Sequence, residues 1–491
     1  MHFIDLIIFI LYIIVMLSVG IYFYRKNKNL DDYYVGGRSL GSWHIGLSVV
    51  ATDVGGGFSI GLGGLGFVMG IAGSWMLFTG LIGAWLSAVL LIPVVNKLSK
   101  TQKFYTFPQL FGFFYDKKVA MIAGIISAIG YLGFTSSQLL AGAKLASATF
   151  VEIDMKTALV IMSLIAIVYT GIGGLRAVIY TDTIQWLILI FGLFLIGIPL
   201  SYIAIGGIDA IKATLGKEFL SFGNVSWQQL VNWAITIVPI WFVGMTLYQR
   251  IYASKDVKQA QKAWFIAGLF EWPVMAFMGV LLGLFARVAF ENNLFAARGF
   301  DALSTIDAET ALPVLLNTIL PVGLTGIMLA AYFSAILSTA DSCLMAASGN
   351  VQTDILGKLF PQNKLNMRSQ LRRSQLITLI IGVLALLLAS YMTNVLELML
   401  YSYAFMVSGL FVPVLAALFT RKPDARAAFW AMILGGSTTI VLIILPLNLP
   451  FGLDANIYGI STSALVYLLF KSYSSPLWRK RRKLSTFSSK A

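Results

Sequence analysis

The amino-acid sequence predicts an all-α membrane protein that crosses the bilayer about thirteen times. Hydrophobic residues make up 58% of the 491 residues and charged residues only 11%, whereas about 25% of residues are charged in soluble domains. Apolar runs of roughly 20 residues, the length that spans the hydrocarbon core, recur along the whole chain. Basic residues collect in alternate segments between these runs, as expected for the loops of a membrane protein.

The apolar runs define the predicted spans and leave no room for a separate soluble domain. They cover residues 3–24, 44–70, 73–96, 119–148, 157–176, 181–206, 229–251, 263–289, 322–350, 374–393, 396–420, 425–447 and 452–472. Residues 207–228 are expected to form an outer loop with a short helix, and residues 306–320 an amphipathic helix.

Loop charge predicts the orientation of these spans. Every second connecting segment is basic, with residues such as Arg25, Lys97, Arg250, Lys358 and Arg421. The positive-inside rule then places the N-terminus outside and the C-terminus in the cytoplasm, in the plasma (inner) membrane. The net charge of +14 is explained by these loops, so no nucleic-acid partner is expected. Two histidines and one cysteine do not readily provide a catalytic cluster or a histidine metal site, so an enzyme is not expected.

The second span contains an interruption at residues 51–57. Three consecutive glycines follow Asp53 there; glycine is a poor helix former, and a charged side chain is costly in lipid. A broken helix frees carbonyl groups that can bind a cation and N–H groups that can hold an anion. The alternative is close helix packing through small residues, which is the interpretation we give to Gly61, Gly63, Gly64 and Gly66. For residues 51–57, Asp53 favours a binding break.

The seventh span offers a counterpart, because Pro239 and Gly244 interrupt it at a similar depth. Two interrupted spans at matching places in two halves are typical of carriers built from inverted repeats. Spans two to six would form one repeat and spans seven to eleven the other. The expected parts are a first span and loop (1–43), a first five-helix repeat (44–206), an outer loop (207–228), a second five-helix repeat (229–420), and two accessory spans with a basic tail (421–491).

The ninth span has the most polar midsection. Ala335, Ser338, Thr339 and Ser342 share one helix face because they are spaced at i, i+3, i+4 and i+7, and Asp341 lies beside them. Hydroxyl and carboxylate oxygens suit hard cations, a rule that we extend to sodium. The alternative is a set of hydrogen bonds between helices.

Other polar residues leave two interpretations open. Asp182 either caps a helix or packs in the core, or else binds an ion; Glu271 either pairs with a base or faces a water-filled path; and Lys144 either snorkels or pairs. Residues that could line a solute pocket, or simply pack in the core, are Ser59, Ser136, Ser137, Gln138, Trp241, Phe242, Tyr401 and Tyr403.

Several of these motifs together resemble the sodium/solute symporter family, which includes carriers of proline, sugars, sialic acid, pantothenate and choline. The motifs are the Asp-Asp-Tyr-Tyr to Gly-Gly-Arg loop at residues 31–38, Ala-Thr-Asp at 51–53, residues 169–174 with Tyr-Thr-Asp at 180–182, and Ser338 with Thr339. The resemblance covers nearly the whole chain. It implies a LeuT-like core of five plus five helices with discontinuous spans.

The resemblance also implies ion and solute sites. Sodium would bind the backbone carbonyls of Ala51, Val54 and Ala335 and the hydroxyls of Ser338 and Thr339. A second sodium ion, present in some members, would use Asp182, Ser338, Asp341 and Ser342. The solute would bind near Asp53, Gly55, Gly56, Ser59, Ser137, Gln138, Trp241, Phe242 and Tyr401. Residues 54–57 with 338–342 resemble the choline branch most, yet Asp53 and Gly244 stand where that branch has tryptophans. An amino acid, a choline-like amine or a small carboxylate therefore stays open.

The expected function is sodium-coupled symport of a small organic solute into the cell by alternating access, with sodium as the only metal and no cofactor. A proton-coupled carrier that uses Asp53, Asp182 or Asp341 as a relay is the main alternative. A sensor built on a transporter fold is a third possibility, less favoured because the chain after residue 472 is short.

Overall fold

The computed structural model describes residues 2–26, 34–53, 55–150, 152–300, 305–360, 367–445 and 447–473. The regular structure of these residues is helical, apart from a bridge between Leu40 and Ser254. This is what the bilayer requires, because a helix satisfies its own backbone hydrogen bonds where water is absent.

The helices follow the predicted spans closely. In the first half of the chain they are α1 (Phe3–Lys26), α2 (Ser42–Asp53), α3 (Gly56–Met69), α4 (Trp75–Leu90), α5 (Ile92–Gln102), α6 (Pro108–Phe114), α7 (Lys117–Thr149), α8 (Met155–Ile190), α9 (Ile198–Ala204) and α10 (Gly207–Thr214). The second half contains α11 (Trp227–Val243), α12 (Met245–Ala253), α13 (Val257–Leu269), α14 (Ala276–Glu291), α15 (Ala308–Ile319), α16 (Leu324–Asn350), α17 (Gly357–Leu359), α18 (Met367–Ala389), α19 (Val395–Phe419), α20 (Ala425–Ile444) and α21 (Ala455–Tyr473). Wider π-helical turns join α8 to α9, α13 to α14 and α16 to α17, at Phe191–Gly197, Phe270–Met275 and Val351–Leu356.

Each predicted span coincides with helix, and the outer loop and the amphipathic helix appear as α10 and α15. Within the described residues, eight helices are long and apolar enough to cross a membrane, or nine if α11 and α12 count as one bent span. The predicted number of thirteen is therefore not confirmed.

The predicted gap between the fifth and sixth spans lies inside the continuous helix α8. Its 36 residues would extend about 54 Å, more than the roughly 30 Å of the hydrocarbon core. Two apolar stretches, Met155–Gly171 and Val178–Ala204, correspond to the two predicted spans. The boundary prediction failed because glycine, which is frequent in membrane helices, did not end this helix.

Both predicted interruptions are present. The second span ends as α2 at Asp53 and resumes as α3 at Gly56, where Gly55 has non-helical dihedral angles (φ −47°, ψ −164°). The seventh span bends by 41° between α11 and α12, at Gly244 with extended backbone (φ −68°, ψ 112°). Pro239 remains inside α11, so the glycine rather than the proline marks that break.

Helix α16 forms the centre of the bundle. An 18-residue window of α16 and its continuation is 94% buried, whereas windows of α18 and α20 are 33% and 39% buried and present apolar side chains to the outside. Helix α2 packs against α13 and α8, α3 packs against α14 and α15, and α16 contacts both halves of the broken span. The break therefore faces the middle of the protein rather than lipid.

Glycine allows the closest of these contacts. A side chain at Gly66 of α3 would collide with the backbone of Val280 on α14, and one at Gly283 of α14 would collide with the backbone of Gly63. The prediction that the glycines after the break are packing residues is thus confirmed for Gly63 and Gly66.

Candidate functional site at the broken helix

Thr339 of α16 joins the two sides of the break. Its hydroxyl donates to the carbonyl oxygen of Ala51 at 3.0 Å and lies 3.3 Å from that of Ala335. Gly55 packs so closely on Thr339 that a side chain there would overlap the threonine hydroxyl. Three of the five residues predicted to bind sodium are therefore brought together, with the carbonyl oxygens of Ala51 and Ala335 both at the Thr339 hydroxyl. Of the other two, Val54 lies outside the described residues and Ser338 follows Ala335 on the same helix.

A small cavity adjoins these oxygens. It has a volume of about 10 Å³ and is lined by Ala51, Ala335 and Ser338, together with side chains of α8 and Met275. That volume accommodates about one water-sized particle. Within the residues that the structure describes, no cluster of three or more His, Cys, Asp or Glu could hold a metal ion. Carbonyl and hydroxyl oxygens suit a hard cation, and their neutrality suits a monovalent one.

Ser338 connects this region to a buried polar cluster. Its hydroxyl donates to Asp182 at 2.5 Å, and Ser48 of α2 donates to the other oxygen of the same carboxylate. Asp182 is fully buried within α8. It therefore does not cap a helix end, and its role in ion binding stays a prediction.

Arg250 completes the cluster, and sequence reasoning did not place it there. We counted it among cytoplasmic loop charges, but it is fully buried on α12. Its guanidinium pairs with Asp182 at 3.1 Å and donates to Ser342 at 2.8 Å and Ser48 at 2.9 Å, and also to Thr52. The only signal in the sequence was its position at the end of a span.

The residues predicted for a second sodium ion are thus arranged around an arginine. Asp182 and Ser342 both contact Arg250, while Asp341 accepts from Thr170 at 2.5 Å and has a second buried oxygen without a hydrogen-bond partner. In this conformation the cluster contains its own cation, since the guanidinium provides the charge that an ion would bring.

The residues predicted to bind solute divide into two groups. Gln138 of α7 is fully buried, and its unpartnered Oε1 points at Gly55 and Gly56; its amide donates to Ser137 at 3.1 Å. The Ser59 hydroxyl donates to the Gly55 carbonyl at 3.1 Å. These residues lie at the break, as predicted.

The aromatic candidates lie farther from it. Trp241 is buried against Gly83 and the ring of Trp264, and Phe242 packs against Phe411. Tyr401 does not line the break; it is partly exposed in a cavity at the end of the bundle, where it donates to Glu397. A role for Tyr401 in solute binding stays a prediction. Tyr403, turned about 200° from it on the same helix, faces inward, and its ring centroid lies 4.9 Å from that of Phe134.

Asp53 faces Glu271, the acidic residue in the π-helical turn between α13 and α14. The two carboxyl groups are neighbours. Asp53 is 7% exposed and Glu271 1% exposed. Both oxygens of Glu271 and one of Asp53 have no hydrogen-bond partner. Within the described residues Glu271 forms no ion pair with a base; the water-filled path stays a prediction.

A cavity of about 900 Å³, which we call the outer cavity because it opens at one end of the bundle, lies where α3 ends and α15, α19 and α21 begin. Gly61, one helical turn beyond Gly57, lies in its wall, and its acidic lining residues are Asp307, Glu309, Glu397 and Asp454. Lys144 pairs with both Asp307 and Glu309 at 2.6 Å, which confirms the pairing alternative for this lysine. Glu309 also accepts from the backbone of Val395 and Leu396 at 2.9 Å, at the start of α19.

This combination defines a class of protein. Two spans broken at mid-bundle, with backbone carbonyls and hydroxyls converging at one break, form the architecture of a secondary carrier. The sodium:solute symporter family matches residues 33–435, so the chain belongs to that family. It is a multi-pass membrane protein that carries out sodium-coupled symport of a small solute, and it is not an enzyme.

Curated relatives agree over almost their whole length. The chain is 29% identical to the sodium/proline symporter of Escherichia coli, covering 89% of this chain and 87% of that protein. It is 28% identical to the sodium/glucose cotransporter of Vibrio parahaemolyticus, covering 97% and 91%. The sodium/sialic acid symporter of Proteus mirabilis is 26% identical, covering 96% and 95%.

Solved structures confirm the fold. The outward-open, substrate-bound structure of a Na⁺-coupled sialic acid symporter superposes with a TM-score of 0.79 at 22% identity and covers 97% of this chain and 99% of that one. Mhp1, a transporter of the nucleobase-cation-symport-1 family, superposes with a TM-score of 0.57 at 13% identity, covering 89% and 92%. The LeuT-like core with discontinuous helices is thereby confirmed.

Proposed function

We propose that the chain couples the entry of sodium at Ala51, Val54, Ala335, Ser338 and Thr339 to the uptake of a solute held at the break. The observation that carries this proposal is that Thr339 Oγ1 lies within 3.3 Å of both Ala51 O and Ala335 O. A cavity of ion size adjoins these atoms. We place the chain in the plasma (inner) membrane, with the N-terminus outside and the C-terminus in the cytoplasm.

Sodium at this position would hold α2 against α16. In this structure the Thr339 hydroxyl bridges the two carbonyls; an ion would replace that bridge with a stronger electrostatic contact. The solute side of the break, at Asp53, Gly55, Gly56, Ser59, Ser137 and Gln138, would then be fixed in one geometry. An ion that binds one conformation better shifts the equilibrium toward it, and the coupling is reciprocal.

The direction of transport follows from the charge of the ion. Each elementary charge that crosses the membrane gains about 2.3 kcal/mol per 100 mV, in addition to the concentration gradient. Uptake is favoured when the outer cavity, with its four acidic side chains, faces the sodium-rich side. Alternating access then consists of closing that cavity and opening the cytoplasmic side around the same site.

A second sodium ion at Asp182, Asp341 and Ser342 remains a prediction. For the ion to bind there, Arg250 would have to leave Asp182 and Ser342, since it now donates to both. Two like charges cannot share one carboxylate at this burial without a large cost. We therefore propose that the protein binds a single sodium ion in this conformation.

The proposed sodium site is tested with the variants Ser338→Ala and Thr339→Ala. Sodium that binds only the folded protein raises its melting temperature by mass action, so the thermal stability of purified protein is titrated with sodium chloride and, separately, potassium chloride. We expect the apparent sodium affinity to fall about tenfold or more in either variant, because an oxygen contact to a charge contributes about 1.5–3 kcal/mol.

Thr318→Ala is the matched control. Its hydroxyl donates to Val314 O at 2.7 Å within α15, away from the break, so sodium affinity should stay at the wild-type value. Equal stabilisation of the wild type by sodium and potassium would contradict the proposal, as would unchanged affinity in both site variants.

A further inference from the structure

The carboxyl groups of Asp53 and Glu271 indicate which charge and which hydrogen-bonding groups the solute carries. The two buried carboxyl groups are neighbours in the bundle, their free oxygens have no hydrogen-bond partner, and neither forms an ion pair with a basic side chain in the part of the chain that the structure describes. Both groups are more than nine-tenths buried. Buried charges are normally paired, so this pair lacks a positive partner that the protein itself does not provide.

Packing holds Glu271 in this position. Its carboxyl group lies directly against the backbone of Gly80 on α4, where any side chain would overlap it. The extended backbone of Trp272 (φ −137°, ψ 123°) interrupts the helix beside it. The rings of Trp272 and Phe78 meet at 5.0 Å on the same two elements. Glu271 therefore projects from an interrupted helix into a space that α4 leaves open.

Asp53 is directed by the break itself. It is the last residue of α2, and one of its carboxylate oxygens is buried without a hydrogen-bond partner. Just beyond it, the unpartnered Oε1 of Gln138 points at Gly55 and Gly56. Two carboxyl groups and an unused amide oxygen thus lie at the same broken segment.

These groups are all hydrogen-bond acceptors. Two neighbouring buried carboxyl groups either share a proton or hold a cation between them, because like charges repel. Acceptor oxygens bind an N–H donor. A quaternary ammonium has no N–H to donate, and a carboxylate would add a further negative charge.

We propose that the solute carries a protonated amine with at least one N–H group, which donates to Asp53 and Glu271. The inference rests on the proposed function, since it names the substrate class of the same carrier. If the solute also has a carboxylate, the first N–H groups of α3, which have no intrahelical acceptor, lie next to Asp53 in the chain and supply its partner. The acidic outer cavity concentrates cations at the entrance.

The test compares probes of similar size but different charge and donor content. Thermal unfolding of the purified full-length chain is measured with isobutylamine, pyrrolidine, tetramethylammonium and isobutyrate, each with and without sodium. We expect the two amines to stabilise the wild type, and sodium to increase that effect. Tetramethylammonium and isobutyrate should stabilise it at least tenfold less effectively.

The variants Asp53→Asn and Glu271→Gln preserve shape and remove the charges. Each should weaken amine binding at least tenfold, while Glu218→Gln, an exposed carboxylate in the outer loop, should leave it unchanged. Stabilisation of Glu271→Gln by sodium in the absence of amine shows that this variant is folded. If Glu271→Gln does not fold, the amine affinity of Asp53→Asn provides the test.

The inference is overturned if tetramethylammonium or isobutyrate stabilises as well as the amines, if no amine stabilises, or if both variants retain wild-type amine affinity. A carrier that uses the pair only for protons would give the last result, with stability that depends on pH but not on amine. Failure of the sodium site is a separate outcome: the wild type then responds equally to sodium and potassium, whatever the amines do.

Discussion

Arg250, Asp182 and the hydroxyls around them form a charged cluster that is buried in the bundle. The guanidinium donates to Asp182, Ser342, Ser48 and Thr52, and to the backbone of Thr246 at 3.2 Å. Its planar shape allows all of these contacts at once, which a lysine ammonium does not. The cluster links α12 to α2, α8 and α16, so single side chains connect both repeats.

Removing Arg250 should destabilise the protein strongly. In Arg250→Met the buried Asp182 carboxylate loses its partner, and breaking a buried pair from one side costs about 3–5 kcal/mol. Adding Asp182→Asn should recover part of that loss, because no unpaired charge then remains. Arg287→Met is the control: its pair with Glu291 is one-third exposed on each side, so the loss should be below about 1 kcal/mol. Chemical unfolding in detergent measures all three, and a loss no larger than the control's would contradict this account.

The sequence indicated some of these residues and hid others. Asp182, Ser338 and Thr339 stood out because carboxylates and hydroxyls are unusual in apolar spans. Arg250 was assigned to a loop, since a basic residue at the end of a span normally faces the cytoplasm. Its partner is 68 residues away, and Glu271 pairs with Asp53 from another span; no local pattern contains such tertiary contacts.

The broken second span is the element on which the site depends. Helix α2 contributes the Ala51 carbonyl and Asp53, whereas α3 begins at Gly56 and presents its free N–H groups to the same point. The two halves pack on different partners, α2 on α13 and α3 on α14. A change in the angle between them would alter the sodium and solute sites together.

Gly55→Ala should uncouple α3 from α16. A methyl group at this position overlaps the Thr339 hydroxyl and lies 2.8 Å from Gln138 Oε1, so the break must open and the sodium oxygens must separate. We expect sodium stabilisation to fall at least tenfold. Gly41→Ala is the matched control, because a methyl group there has no neighbour within 4 Å. Sodium titration by thermal unfolding measures both, and equal affinity in the two variants would show that the break is not part of the site.

The sequence predicted which spans are interrupted better than it predicted where each helix ends. The break at Gly55 and the bend at Gly244 followed from glycines placed where an apolar helix should continue. The end of the fifth span could not be predicted in this way, since glycine also occurs within membrane helices. Helix α8 continues through that region. Hydropathy measures apolar length, and packing decides where the helix actually turns.

At the scale of the whole molecule, the outer cavity and the central helix α16 define the conformation. The cavity ends about one helical turn from the break, at Gly61, and Met399 packs directly on Gly57 below it. The Lys144, Asp307 and Glu309 network joins α7, α15 and the start of α19 in the cavity wall. Closing the cavity must therefore move these helices as a group.

The orientation can be tested through the cavity. Cys343 is the only cysteine in the sequence and is buried, so a new cysteine gives a clear signal. Ala404→Cys, in the cavity lining, should react with a membrane-impermeant thiol reagent added outside intact cells, and more slowly with sodium present. Leu387→Cys on α18, 54% exposed on an apolar face, should not react, because a thiolate does not form in lipid. Labelling of Ala404→Cys only from the cytoplasmic side would reverse the proposed topology.

The fold class was predictable because the bilayer leaves few alternatives: apolar spans must be helices, and loop charge orients them. The cavity could not be predicted from the sequence, since its wall combines residues from α3, α15, α19 and α21. These helices lie far apart in the sequence. Its acidic lining was visible in the sequence only as loop charge.

The size of the outer cavity also matters for inhibition. At about 900 Å³ it is within the range of sites that enclose drug-sized ligands, and far larger than the space at the break. A compound with an ammonium group for the acidic lining and a body too bulky to pass Met399 would occupy the entrance without being carried. Such a compound would lock the carrier in one conformation and owe its selectivity to wall residues that lie apart from the break.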